Sequence, residues 1–275
     1  YMDIKAFKMN GLGNDFVIID LRNNNINLPK DKIIKICDRK FVGCDQLILI
    51  KKNRKVDASL EFFNSDGSAS GACGNGTRCV ADLLSKENNK KEITVWTSSG
   101  TLKSNILGND LVETEIGIPK TSWNEIPLSK NLNTKNLNIK IIDKNNNTHI
   151  GGTAINVGNP HIIFFVNSLK NFDLKKIGPK IENNKLFPEK CNVTLANVIN
   201  ENLIKVSVWE RGAGLTKACG TAACATAAAA NINRLIKTKT DIEFELGKLS
   251  IFIDEKKSIH MKGPVSKIEN IKIKL

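Results

Sequence analysis

The sequence predicts an α+β protein of two pseudo-symmetric domains, each a curved, mostly antiparallel sheet wrapped around a central helix. Three observations carry this reading. The chain repeats itself: Cys73, in Ala72-Cys73-Gly74-Asn75-Gly76-Thr77-Arg78-Cys79, has a counterpart 146 positions on in Ala218-Cys219-Gly220-Thr221-Ala222-Ala223-Cys224. Gly13-Asn14-Asp15-Phe16 matches Gly158-Asn159-Pro160-His161 at an offset of 145, and Phe41, Gln46 and Phe63-Asn64 match Phe187, Asn192 and Trp209-Glu210 at 146. Landmarks held in register over half a chain point to a duplication in which each half supplies one cysteine and a few polar groups. Short apolar runs punctuated by Asn, Gly and Ser dominate both halves, as strands and turns do. Finally, each cysteine turn opens a helix, and the run Ala227-Ala228-Ala229-Ala230 has side chains small enough to sit inside a curved sheet.

In chain order, Ile4 to Phe7 and Phe16 to Asp20 read as strands joined by a polar loop, Asn10–Asp15. Asn23-Asn24-Asn25 marks a turn, and Lys30 to Arg39 an amphipathic helix with Ile33, Ile34 and Cys37 on one face. Gln46–Lys51 and Ala58–Phe63 read as strands around the basic turn Lys51-Lys52-Asn53-Arg54-Lys55. The small, polar stretch Asn64–Asn75 is long for a loop inside a packed domain, which points to a site. A helix follows over Thr77–Ser85, then a meander of Ile93–Thr97, Thr101–Leu107 and Leu111–Ile116. Pro119 and the Asn/Lys-rich Lys130–Asn138 mark a change of domain, giving residues 1–118 with Cys73 and residues 119–262 with Cys219.

The second half follows the same plan. Strands are expected at Lys140–Asp143, Thr153–Val157, His161–Val166 and Lys205–Trp209, with a short helix around Leu174–Ile181 and a long one over Thr221–Ile236. Strands at Ile242–Glu245, Leu249–Ile253 and Ser258–Met261 come next. Gly263-Pro264 breaks the chain before a last strand, Ile268–Leu275.

The composition excludes several classes. Hydrophobic residues make up 41% of the chain, enough for a real core, yet no run approaches the length of a membrane span. Met2 reads as the natural start, without a signal-peptide pattern, which implies a cytoplasmic protein. The net charge of +13 raises nucleic acid as a partner, but the basic residues are scattered and do not alternate with aromatics. A solvated lysine-rich surface accounts for them, and a small dianionic substrate would gain from the positive field. Seven cysteines without an export signal read as thiols. The close pairs, Cys73/Cys79 and Cys219/Cys224, lack zinc-site spacing, so no metal is expected. Cys37, Cys79, Cys191 and Cys224 sit in apolar or helical settings and read as core residues; Cys44 reads as the exposed one.

Cys73 and Cys219 differ from these. The start of a helix carries partial positive charge and unpaired N–H groups, which favour a thiolate. Beside Gly74, Gly76 and Gly220 the same N–H groups can hold a carboxylate. Two thiols on opposite walls of one cleft suit the inversion of a stereocentre: one removes an α-proton, the other returns a proton to the opposite face. Glu210-Arg211 lies nine residues before its cysteine, as Asn64 does before Cys73. The arginine can grip a carboxylate through two parallel hydrogen bonds and the glutamate can hold an ammonium. His161 can steady a cysteine or tune its protonation, or be a satisfied structural histidine. Asn75 and Thr221 are expected to cap the two helices while offering N–H groups to the substrate.

Six motifs in order give the chain a resemblance to diaminopimelate epimerases along nearly its whole length. They are Gly11-Leu12-Gly13-Asn14-Asp15-Phe16; Asp45-Gln46; Phe63-Asn64-Ser65-Asp66-Gly67 leading to the first cysteine; Gly158-Asn159-Pro160-His161; Cys191-Asn192-Val193; and Glu210-Arg211-Gly212-Ala213-Gly214 leading to the second. The resemblance implies cofactor-independent interconversion of LL- and meso-diaminopimelate, for lysine and peptidoglycan precursors, with Cys73 and Cys219 as acid and base. It implies substrate contacts from Asn14, Gln46, Asn64, Gly74, Asn75, Asn159, Asn192, Glu210, Arg211, Gly220 and Thr221, with Glu210 close to the reacting centre. No pyridoxal phosphate is implied. The acidity of the α-hydrogen must then come from a charged ammonium, N–H dipoles and exclusion of water as two domains close. The family further implies a homodimer and a terminal strand, within 263–275, that returns to the first domain. Glu269 departs from the pattern: many members carry a tyrosine of the dimer contact there. A proline or hydroxyproline racemase of the same fold is the nearest rival, though Glu210-Arg211 favours a substrate with a second charged centre. A thiol redox protein using Cys73 and Cys219 is the other.

Overall fold

In the computed structural model, residues 3–71 and 73–274 are described. Tyr1, Met2, Ala72 of the first cysteine motif and Leu275 of the expected last strand lie outside them. The chain forms two compact units, Tyr1–Glu115 with Lys262–Leu275, and Ile116–Met261.

In the first unit, β1 (Asp3–Gly11) and β2 (Asn14–Asp20) form a hairpin. The polar loop expected at Asn10–Asp15 is only a two-residue turn, with Asn10 and Asp15 already paired. Leu12 and Gly13 both hold positive φ (54° and 77°), the handedness that matches the twist of the flanking strands. Helix α1 (Lys30–Cys37) stops two residues short of expectation and turns Ile33, Ile36 and Cys37 inward. Ile34, expected on that face, is 41% exposed, because one step of a helix rotates it about 100° away from Ile33.

Strand β3 (Gln46–Lys51) lies parallel to β2, and β4 (Ala58–Asn64) antiparallel to β3. The short β5 (Ala69–Ser70) folds back on β4, which also takes β6 (Glu92–Thr97) in parallel. Strands β7 (Gly100–Gly108) and β8 (Leu111–Gly117) complete the meander. The terminal strand, Glu269–Lys274, pairs antiparallel with β1 from Asp3↔Lys274 to Lys8↔Glu269. Both faces of this sheet are buried. Phe16, Ile18, Ile48 and Ile50 share a core with α2 (Gly74–Asn88), while Val17, Ile19, Leu47 and Leu49 share one with α1. Central strands covered on both sides read as continuous apolar runs, which is why β3 was legible to the residue.

The second unit begins with a separate hairpin of β9 (Ile139–Ile142) and β10 (Thr148–Gly151). The main sheet is β11 (Thr153–Asn156) antiparallel to β12 (Pro160–Phe165), which is parallel to β13 (Asn192–Asn200). Next come β14 (Leu203–Glu210), antiparallel to β13, and β15 (Gly214–Thr216), which folds back on β14. Strand β16 (Lys239–Phe244) is parallel to β14 and antiparallel to β17 (Gly247–Ile253); β18 (Ile259–Pro264) follows. Helix α3 (Leu174–Glu182) precedes β13, and α4 (Gly220–Ile232) precedes β16.

The pairing plan of β11 to β17 is therefore that of β1 to β7, strand for strand, with α3 and α4 in the places of α1 and α2. This is the duplicated α+β architecture the repeat predicts. Strands β5, β10, β13 and β15 have no place in the sequence reading, and β5 lies inside the stretch expected as a loop, Asn64–Asn75. β13 buries every residue from Asn192 to Ala196, so its mixture of Asn, Thr and Ala shows no alternation. Gly263-Pro264, expected to break the chain, instead ends β18. α2 and α4 are buried on every side over Gly74–Ser85 and Gly220–Ala230. Among the described residues, no helix is long and apolar enough to cross a membrane.

Candidate active site

Cys73 and Cys219 are the N-cap residues of α2 and α4, with matching extended backbones (φ −143°, ψ 111° and φ −147°, ψ 113°). Each sulfur accepts the N–H three residues on, from Gly76 and Ala222, at 3.4 Å. The expectation that Asn75 and Thr221 cap these helices is thereby corrected. The helices start at Gly74 and Gly220, so Asn75 and Thr221 are second helical residues, and the extended position that capping requires belongs to the cysteines. The N–H groups of Gly74, Asn75, Gly220 and Thr221 have no partner within their helices and point toward the anion-binding end.

In the first unit, the hairpin turn delivers Asn14 to Cys73. The Cys73 thiol donates to Asn14 Oδ1 (3.8 Å), which also receives Asn75 Nδ2 (3.5 Å). Asn14 Nδ2 donates to Asp45 Oδ2 at 3.0 Å, and Arg39 bridges Asp45 and Asp15 at 2.7 and 2.5 Å. Burial pushes the Asp15 carboxyl up, but the hydrogen bonds from Arg39 and the Asp45 N–H together hold it below its ordinary value. Gln46 and Asn64 face each other across β3 and β4, with Gln46 Nε2 donating to Asn64 Oδ1 (3.0 Å) and Asn64 Nδ2 to Ser68 Oγ (3.1 Å). Cys44, expected to be exposed, is 2% accessible, its sulfur 3.5 Å from that of Cys37, because the chain after α1 folds back so that the Cys44 N–H donates to the Cys37 carbonyl.

In the second unit, Cys219 contacts Thr221 Oγ1 at 3.4 Å. Thr221 Oγ1 receives Asn159 Nδ2 at 3.3 Å, and Asn159 Oδ1 lies 2.8 Å from His161 Nε2. His161 is fully buried and its pKa is pushed down to about 3, first by burial and then by the positive charge of Arg211. A neutral imidazole results, whose Nε2 also lies 3.2 Å from Thr221 Oγ1 and 3.5 Å from Asn192 Nδ2. His161 thus reaches the cysteine through Thr221. Asn192 is fixed by the scaffold: Nδ2 donates to the Pro160 carbonyl and Oδ1 accepts the Arg211 N–H. The Arg211 guanidinium donates to the Glu189 carbonyl, and Glu210 Oε1 accepts the Thr216 hydroxyl. Burial raises the Cys219 thiol well above its ordinary pKa, and the Glu210 carboxylate adds to the rise; Thr221 and the Ala222 N–H oppose it. Cys219 is therefore a proton-carrying thiol in this state.

The two halves resemble known proteins as a unit. The family described as "Diaminopimelate epimerase" matches residues 6–121 and 153–268. A diaminopimelate epimerase of Pelagibacter ubique (strain HTCC1062) is 77% identical over 274 residues, covering the whole of both chains. The chain belongs to the diaminopimelate epimerase family. A second family member, from Acidiphilium cryptum (strain JF-5), is 40% identical and covers 94% of this chain and 92% of its own. Among solved structures, a hydroxyproline epimerase of Agrobacterium vitis shares the fold at a TM-score of 0.68 and 11% identity, covering 99% of this chain and 91% of that one. As a member of this family the chain is an isomerase of the racemase and epimerase type.

Several residues around the family's motifs escaped the sequence reading. Asp15 and Asp45 stood inside quoted motifs but drew no role, and Arg39 lay outside them. Arg78 stood inside the first cysteine motif, where a charged residue in a helix reads as a surface group. Thr216 gave no signal, since a lone threonine in a loop is uninformative.

Proposed function

We propose that this chain interconverts LL- and meso-diaminopimelate without a bound cofactor, with Cys73 and Cys219 as its two acid/base groups. The observation that carries the reading is the matched N-cap placement of the two cysteines in duplicated units. Inversion needs a base on one face of the α-carbon and an acid on the other. One sulfur takes the proton as thiolate while the other gives one as thiol, and the roles exchange with the isomer bound. Helix-start N–H groups at Gly74-Asn75 and Gly220-Thr221 suit the carboxylate, whose negative charge grows as the α-proton leaves. Glu210 suits the ammonium that acidifies the α-hydrogen, and Arg211, Asn14, Gln46, Asn64, Asn159 and Asn192 the remaining polar groups. The family likeness supports a homodimer and a cytoplasmic place of action; sedimentation of the purified protein tests the former, and a purely monomeric species would rule it out.

Proton NMR of LL-diaminopimelate with reduced protein in D₂O tests the reaction. The expected result is loss of the α-proton signal with growth of the meso isomer and no added cofactor. Cys73→Ala and Cys219→Ala should each lower kcat by about 10²–10⁴-fold, the usual worth of a positioned acid or base. Retention of epimerisation in either variant would remove that cysteine from the mechanism.

A further inference from the structure

The amide of Asn14 presents its oxygen to Cys73, and two charged residues, Arg78 and Asp45, impose that orientation. Arg78 is fully buried in α2, and its Nη2 donates to Asn75 Oδ1 at 2.7 Å. A guanidinium only donates, so the Asn75 oxygen must face it and the Asn75 amide nitrogen must face away, onto Asn14 Oδ1. At the other end, a carboxylate only accepts. Asp45 Oδ2 therefore requires Asn14 Nδ2, at 3.0 Å. Both ends agree on one arrangement, in which Asn14 Oδ1 is the acceptor for the Cys73 thiol. Gly11 lies against this pair: a Cβ there would stand 3.3 Å from Arg78 Nη2 and 3.4 Å from the Asn75 Cβ.

The second unit is wired differently. Asn159 Nδ2 donates to the Thr221 hydroxyl, and that hydroxyl lies 3.4 Å from the Cys219 sulfur. The repeat thus puts an amide oxygen against one sulfur and a hydroxyl group against the other. We propose that Arg78 and Asp45 are positioning residues that lock Asn14 with its carbonyl toward Cys73, disfavouring the thiolate there until substrate displaces that contact. This rests on the reading of Cys73 as an acid/base group.

The test is the pH dependence of Cys73 alkylation by iodoacetamide, followed on the Cys73 peptide by mass spectrometry in a Cys219→Ser background. Arg78→Met and Asp45→Ala each remove one anchor, and their combination frees the amide to offer its NH₂ to the sulfur. The double variant is expected to lower the pH midpoint by about one unit, a roughly tenfold faster reaction at pH 7, with each single variant between. Arg78→Lys, which keeps a donor, should stay near the parent. If the buried Arg78→Met does not fold, Asp45→Ala, a change at a half-exposed side chain, carries the test with Arg78→Lys as control. A midpoint unmoved or raised in the folded variants overturns the relay. Because alkylation needs no turnover, that result stands apart from loss of the acid/base reading, which would show as epimerisation surviving Cys73→Ala.

Discussion

At the residue scale, the two cysteines do the work that Ser, Thr or Asp commonly does at a helix start, and this explains why their neighbours were misread. A sequence shows which residues crowd a turn, but the φ of the residue in the capping position decides which side chain accepts the N–H groups. The cysteines, the glycines after them and Asn14 with Asn159 were legible because they recur in register, and His161 because it stands in a family motif; Arg78 and Asp45 were not, because a lone charge carries no sign of burial or partner. His161 makes a prediction about pH. Its folded pKa of about 3 lies below the ordinary 6.5, so between these values the unfolded chain holds a proton the folded chain does not. Stability should be fully present above pH 6.5 and decline as the pH falls toward 3. Urea melts of the parent and His161→Gln between pH 7 and pH 4 should show a shallower decline in the variant. Identical slopes would mean that His161 is not neutral in the fold.

At the element scale, α3 packs closely on β14 beside Glu210. Gly178 of α3 has no Cβ, and one built there would lie 2.4 Å from Trp209 Cγ. Trp209 Nε1 donates to Glu182 Oε2, whose other oxygen accepts the Gly212 N–H, so helix, tryptophan and the turn after Glu210 are one joint. Gly178→Ala should destabilise by about 1–3 kcal/mol, the usual effect of overpacking, and lower kcat because Glu210 moves with its neighbour. A urea midpoint and kcat both equal to the parent would show that the joint is slack. None of this was visible in Leu174–Ile181, which reads simply as an amphipathic helix; the glycine's reason lies across the unit, on β14. The strands most easily read were those with a buried apolar run, and the ones missed, β5, β10, β13 and β15, are short, polar or buried on both faces with mixed residues.

At the scale of the whole molecule, diaminopimelate carries two carboxylates and two ammoniums near neutral pH. The net charge of +13 therefore exerts no net pull on it, and the lysine-rich surface belongs to solubility. The terminal strand Glu269–Lys274 belongs instead to the first unit's stability: it pairs with β1 and buries Ile273 in the α1-side core. Deleting residues 265–275 should leave the N–H and C=O groups on one edge of β1 unpaired and unfold the Cys73 unit while the Cys219 unit keeps its protection, which hydrogen exchange resolved by peptide can read. Uniform protection in both units would contradict it. The same strand fixes an order of events on the ribosome. Chains emerge from their first residue at about 5–20 residues per second, and domains complete as their last element appears. The unit that begins the chain cannot finish until its end has emerged, so the later Cys219 unit can fold first. Cys73 is made early and seated late, and a chain interrupted anywhere before that strand leaves its first thiol without a finished home.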